Sequence, residues 1–214
     1  PEVKVPLPMK KRMLDFLIRV RVGRVPRSLL DRLLDVQLPD LDLSYCELTD
    51  ADYAHVFGVC TRLKSLTLGS VSDPIVKLVS GACRGLEQLS VYCAKGFSNK
   101  ALRTIAECCP SLTALKLKCS EKVSDSGLED VLQHCTRLEE LSLFGCKKIK
   151  GTALKQLAKL KKKEKQMHLR KLNLSYCELS KKGWKYAVRL GVDLHALYIS
   201  PLAPSFKITA ADFL

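Results

Sequence analysis

Cys135-Thr-Arg-Leu138-Glu-Glu-Leu141-Ser-Leu143-Phe-Gly-Cys146 carries the spacing that decides the fold. Its leucines are three and then two residues apart, so Leu141 and Leu143 point the same way from a strand that Leu138 enters from a turn. The phrase recurs as LPDLDLSYC from Leu38, CTRLKSLTLGSV from Cys60, CRGLEQLSVYCA from Cys83, CPSLTALKLKCS from Cys109, LRKLNLSYC from Leu169 and LHALYIS from Leu194. One equivalent position per copy is Leu41, Leu66, Leu89, Leu115, Leu141, Leu172 and Leu197, at steps of 25, 23, 26, 26, 31 and 25 residues. Self-similarity with a period in the twenties predicts a stack of repeats, each one supersecondary unit.

Between the phrases the pattern turns helical. Leu128, Val131, Leu132 and Cys135 lie at offsets of three, four and seven, one face of a helix. A short polar pair precedes such runs at Thr49-Asp50, Ser72-Asp73 and Ser124-Asp125, where a hydroxyl can accept from the open amides of a starting helix. Each repeat therefore reads strand, turn, helix. A single unit leaves its apolar face bare, and stacking closes the core between an inner parallel sheet and an outer row of helices.

The phrase C-x-x-L-x-x-L-x-L-x-x-C followed by S/T-D-x-G/A-L resembles the cysteine-containing subclass of leucine-rich repeats, known from F-box substrate adaptors of ubiquitin ligases and from proteins like the antagonist of mitotic exit network. The resemblance runs from about Leu38 to Leu214. It implies an α/β horseshoe solenoid, with residues 1–37 as a helical N-terminal cap and residues 38–214 as about seven repeats. It also implies a binding surface rather than an enzyme, since folds of this kind serve many unrelated pathways.

The segment before the repeats predicts two amphipathic helices. Met13, Leu14, Leu17, Ile18 and Val20 form one stripe; Leu29, Leu30, Leu33 and Leu34 form another beyond the break at Gly23 and Pro26. Covering the first repeat is their default role. Leu7-Pro8 before an apolar helix also resembles the start of an F-box, and the Arg-rich stretch resembles a transit peptide. The chain as given begins with Pro1, so a leader ahead of it is an open expectation.

Ten cysteines would suggest disulfides in a small secreted chain, but here most are locked to the repeat. Cys60, Cys83, Cys109 and Cys135 end the helical runs, and Cys46, Cys146 and Cys177 follow strands. Small buried thiols in a reducing compartment are the expectation: cytoplasm or nucleus, or mitochondrion if a leader is present. Cys93 and Cys119 sit one residue off that position, one repeat apart, and are expected side by side. Without C-x-x-C pairs, histidine clusters or a phosphate-cradling glycine loop, no metal, cofactor, catalytic residue or small-molecule substrate is expected. His55, His134, His168 and His195 fall in separate repeats.

The net charge of +14 is concentrated. Residues 147–189 hold 15 basic side chains against Glu164 and Glu178. The candidate basic patch is Lys147, Lys148, Lys161, Lys162, Lys163, Lys165, Arg170, Lys171, Lys181 and Lys182, facing an acidic protein surface or an RNA backbone. On the concave sheet, alternation places Asp42, Thr67, Ser90, Lys116, Ser142, Asn173 and Tyr198 in one row, and Ser44, Gly69, Tyr92, Lys118, Phe144, Ser175 and Ser200 in the next. Candidate partner contacts are Asp42, Ser44, Tyr92, Lys116, Lys118, Phe144, Asn173 and Tyr198, the aromatics giving large contact area at low entropic cost. Two functions follow: a non-enzymatic adaptor that recruits a protein client, or a structural subunit of a large protein or ribonucleoprotein assembly docked through its basic repeats. No apolar run reaches the ~20 residues of a membrane span.

Overall fold

The computed structural model describes residues 5–19, 26–93, 96–162, 168–190 and 193–195. Two helices, α1 (Leu7–Arg19) and α2 (Arg27–Leu33), precede β1 (Asp40–Leu43). Helix and strand then alternate as α3 (Asp50–Val59), β2 (Ser65–Leu68), α4 (Asp73–Ala82), β3 (Gln88–Tyr92), α5 (Asn99–Cys108) and β4 (Ala114–Lys118). They continue as α6 (Asp125–His134), β5 (Glu140–Ser142), α7 (Leu154–Lys162), β6 (Lys171–Asn173), α8 (Lys181–Arg189) and β7 (Asp193–His195). The strands form one parallel sheet in chain order, β1 to β7.

Register follows the leucine spacing. Leu41 pairs with Leu66, Leu66 with Leu89, Leu89 with Leu115, Leu115 with Leu141 and Leu141 with Leu172. The 31-residue step therefore leaves the ladder undisturbed, its extra residues falling between α7 and β6. The last rung pairs Leu172 with Leu194, not Leu197. In β1 to β6 the two inward apolar residues at each strand, such as Leu141 and Leu143, are buried in one core with helix residues such as Leu128, Val131 and Leu154. Burying a leucine contributes about 1.5–3 kcal/mol, and a sheet with one face covered by helices fixes which residues of each strand are inside.

Cysteine has a specific role in this core. The Cys83 thiol donates to the Cys60 carbonyl at 3.2 Å, Cys109 to Cys83 and Cys135 to Cys109 at 3.8 Å. These residues cap α3, α4, α5 and α6, so each thiol meets a carbonyl of the preceding helix end. A second ladder joins the helix starts. Asp73 accepts the N–H of Ser98 at 2.8 Å, Asn99 that of Ser124 at 2.9 Å, and Asp125 those of Lys150 and Ala153 at 2.7 and 3.0 Å.

That ladder corrects the capping expectation. Thr49 does cap α3, in a reciprocal box with Asp52, but neither Ser72 nor Ser124 accepts from its own helix. The Ser124 hydroxyl instead takes a hydrogen bond from Asn99 Nδ2 at 2.8 Å. At Asp73 and Asp125 the second residue of the polar pair thus ties one repeat to the next. The close approach also explains Gly127, where an added Cβ would stand 2.5 Å from Asn99 Oδ1.

At the N-terminal end, Leu14, Leu30, Leu33 and Leu34 are buried, and ion pairs Lys10–Asp35 and Lys11–Asp40 tie α1 to the turn after α2 and to β1. The expected single stripe on α1 is divided: Leu14 faces the core, whereas Met13 is 41% exposed and lines a groove with Met9, Phe16 and Leu29. The Ile18 side chain and Val20 lie outside the described residues.

Candidate partner-binding surface

Among the described residues, one face of the sheet is covered by helices and the other carries no element over it. On the open face Asp42, Thr67, Ser90, Lys116, Ser142 and Asn173 are half-buried, as residues alternating with fully buried leucines must be. Tyr92 and Lys118 of the next row are exposed, and Ser44, Phe144 and Ser175 are half-buried. Gly69 of that row is buried: a Cβ there would lie 2.5 Å from the Ser44 carbonyl oxygen, so β2 offers no side chain at this level. Asp42 and Asn173 each turn back to accept the N–H two residues on, from Ser44 at 2.8 Å and Ser175 at 2.9 Å. Their side chains shape the ends of β1 and β6 as well as facing outward. Tyr198 and Ser200 lie outside the described residues.

The strand ends gather a cluster. The Phe144 and Tyr176 rings are 4.8 Å apart at 56°, and the Lys118 ammonium stands 5.4 Å from the Phe144 centroid. Tilted ring pairs contribute about 0.5–1.5 kcal/mol and cation–ring contacts about 0.5–1 kcal/mol at open sites, which favours this arrangement of the side chains. Lys116 is held by Glu140 at 3.1 Å on the neighbouring strand, above a depression of about 310 Å³ floored by Leu141 and Leu172.

Tyr176 was not among the residues picked out by alternation. It lies one past the inward-outward register, with φ of 60°, in a left-handed turn shared by Cys93, Cys119 and Gly145 in the three preceding repeats. The signal for it was in the sequence: LSYC occurs at Leu43–Cys46 and again at Leu174–Cys177, and both tyrosines are largely exposed. Cys93 and Cys119 occupy that turn too. The Cys93 N–H donates to the Lys118 carbonyl at 2.8 Å, so they are equivalent neighbours in stacked repeats, Cys93 exposed and Cys119 half-buried beside Gly145.

All ten cysteines are free of disulfides. Burial pushes the thiols of Cys83, Cys135 and Cys146 up to about 11 and those of Cys109 and Cys177 up to about 12. Such thiols stay protonated at neutral pH and are poor nucleophiles and poor metal ligands. Among the described residues no three His, Cys, Asp or Glu side chains gather as a metal group, and no helix is long and apolar enough to cross a membrane.

The basic stretch that is continuous in sequence is divided in space. Lys147 and Lys148 follow β5, and Lys181 and Lys182 open α8, so these four exposed lysines share the edge where strands end and helices start. Arg170 and Lys171 enter β6 at the opposite edge, where Arg170 lies 4.0 Å from Glu139 and Lys171 is paired in register with Glu140. Lys161 and Lys162 end α7 toward that same opposite edge; their side chains, and all of Lys163 and Lys165, lie outside the described residues.

Residues 165–185 match the family model described as Leucine Rich repeat. The structure is similar to a chain in the crystal structure of the Rad7 and Elc1 complex in yeast, with a TM-score of 0.69 and 15% identity. The fold is a leucine-rich-repeat solenoid. That similarity covers 90% of this chain and 49% of the other, so the solenoid spans about half the length of the chain it matches. A search of the curated proteins finds no match to the sequence.

Proposed function

We propose that this solenoid is a non-enzymatic protein-interaction module whose client sits on the open face of the sheet, centred on the strand ends of β3 to β6. The observation that carries this reading is the Lys118–Phe144–Tyr176 cluster beside exposed Tyr92, aromatic and cationic side chains held on a rigid sheet with no element of the described chain over them. Anchors of this kind dominate protein interfaces because they bring large area to a site already ordered. The buried, protonated thiols support a reducing compartment as its location.

An adaptor must hold its client and be held itself. The exposed Met9, Met13 and Phe16 of α1, with Leu17 and Leu29 beside them, supply a second apolar surface at the far end of the solenoid. A second surface of this kind fits an adaptor; it fits equally a structural subunit of a larger assembly, the other reading of this chain, whose docking would run through its basic repeats.

A photo-crosslinking residue placed at Ser142, beside the cluster, tests the reading in cells against the same residue at Lys155 on the exposed side of α7. A discrete adduct from position 142 that disappears with Phe144→Ala, and none from 155, is the expected result. Equal labelling from both positions, or an adduct indifferent to Phe144, overturns it.

A further inference from the structure

The strand-end edge of the fifth and sixth repeats carries a charge arrangement that the fold itself does not require. In α3, α4, α5 and α6 the first helical residue is Asp50, Asp73, Asn99 and Asp125. An acid there suits the positive end of the helix dipole, and in three of these helices the residue also accepts hydrogen bonds from the next repeat. In α8 that position is Lys181, followed by Lys182, and the first turn of α8 has no acidic residue. Two ammonium groups thus stand where the positive end of the helix dipole favours an acid.

The preceding repeat brings more cations to the same place. The Lys150 carbonyl accepts both the N–H and the hydroxyl of Ser180 at 3.0 Å, which seats the loop holding Lys147 and Lys148 directly on the start of α8. The nearby carboxylate, Glu178, is engaged by Lys150 at 2.8 Å. That hydrogen bond, with the Lys147 charge behind it, holds the Glu178 carboxyl below the usual range. Lys147, Lys148, Lys181 and Lys182, all exposed, stand within four residues of this pair along the chain. Phe144 lies three residues before Lys147 and Tyr176 five before Lys181 on the same strand-end edge, so an apolar contact and four cations share it.

We propose that this edge binds an acidic polypeptide segment, its carboxylates on Lys147, Lys148, Lys181 and Lys182 and an apolar side chain against the Phe144–Tyr176 pair. Two observations favour a peptide over RNA. The rings are tilted 56° onto each other with Lys118 against Phe144, so the pair packs on itself rather than presenting successive parallel faces to a run of bases. Glu178 also stands within the basic run, where it interrupts a continuous phosphate track but leaves room for separated carboxylates. This inference rests on the reading above for the partner being a protein, and it specifies that partner's chemistry and where it crosses the solenoid.

The test is fluorescence anisotropy on the full chain, with a short labelled peptide of Glu and Ser around one central Leu, and a single-stranded RNA oligonucleotide of equal charge. Lys147, Lys148, Lys181 and Lys182 are changed to Gln together; the control changes the exposed helix lysines Lys77, Lys100, Lys155 and Lys159 to Gln, removing the same charge elsewhere. The edge variant should bind the peptide at least about tenfold more weakly, the control within about threefold of wild type, with salt sensitivity lost only in the edge variant. Phe144→Ala should weaken the peptide but not its analogue with Ser in place of Leu. Equal loss in both lysine variants, or RNA binding tighter than peptide at this edge, overturns the proposal. If the peptide fails to bind while the crosslink from position 142 persists, the charge assignment is wrong and the open-face reading stands.

Discussion

Asp125 is the residue through which coupling between repeats is most directly measured. Its carboxylate spans from the start of α6 to the backbone of the next repeat, accepting the Lys150 N–H at 2.7 Å and the Ala153 N–H at 3.0 Å. Hydrogen bonds to a charged acceptor contribute about 1.5–3 kcal/mol when sheltered from water. Lys150 is exposed, so water replaces much of that bond; Ala153 is fully buried, and its amide would be left without an acceptor. The charge at the N-terminus of α6 adds about 0.3–1 kcal/mol. Asp125→Ala should therefore cost about 2–4 kcal/mol in urea unfolding and lower Tm by roughly 5–15 °C for a chain of this size. Asp125→Asn retains one acceptor and turns an N–H₂ toward the second donor, so it should recover only part of the loss. A cost for Asp125→Ala below about 0.5 kcal/mol, or an Asn variant as stable as wild type, would refute the claim that these bonds join the repeats.

Strand phase is tested by Leu141→Ala, expected to cost about 2–5 kcal/mol, against Ser142→Ala, expected to cost almost nothing; similar losses would put the strand in the wrong phase. Lys181→Asp should raise stability by about 0.3–1 kcal/mol while weakening the acidic peptide in the anisotropy assay, and a variant that binds normally would detach this lysine from the site. The thiols make an alkaline prediction. Folding raises them from an ordinary 9.0 to about 11 or 12, so their contribution is whole below pH 9 and is lost as pH climbs toward 11–12, because the unfolded chain ionises first. One unit above 9, each such thiol should cost about 1.4 kcal/mol, and Cys109→Ala should show a shallower fall of stability with pH than wild type. An unchanged slope would mean that Cys109 ionises as easily folded as unfolded.

What the sequence determined by itself is the repeat: the leucine spacing, and in the first six copies the strand phase and the inward positions, because a period of two along a half-buried strand and a period in the twenties along the chain both follow from burial alone; in the seventh the register falls on Leu194 and His195 rather than Leu197 and Tyr198. Leu41 to Leu172 pair as their spacing required. Helix starts were legible as places but not as bonds. Ser72 and Ser124 have the right chemistry for capping, yet the acceptors that matter, Asp73, Asn99 and Asp125, bond across repeats, which one unit's sequence does not display. Tyr176 escaped because its backbone leaves the extended region, so alternation stops predicting direction one residue too soon. The basic stretch shows the limit most plainly. Lys147 and Lys148 share an edge with Lys181 and Lys182, 34 positions further on, whereas Arg170 and Lys171, between them in the chain, lie at the opposite edge. In a solenoid each repeat reverses direction between strand and helix, so charge that is contiguous in the chain is shared between two edges, and only stacking decides which cations meet.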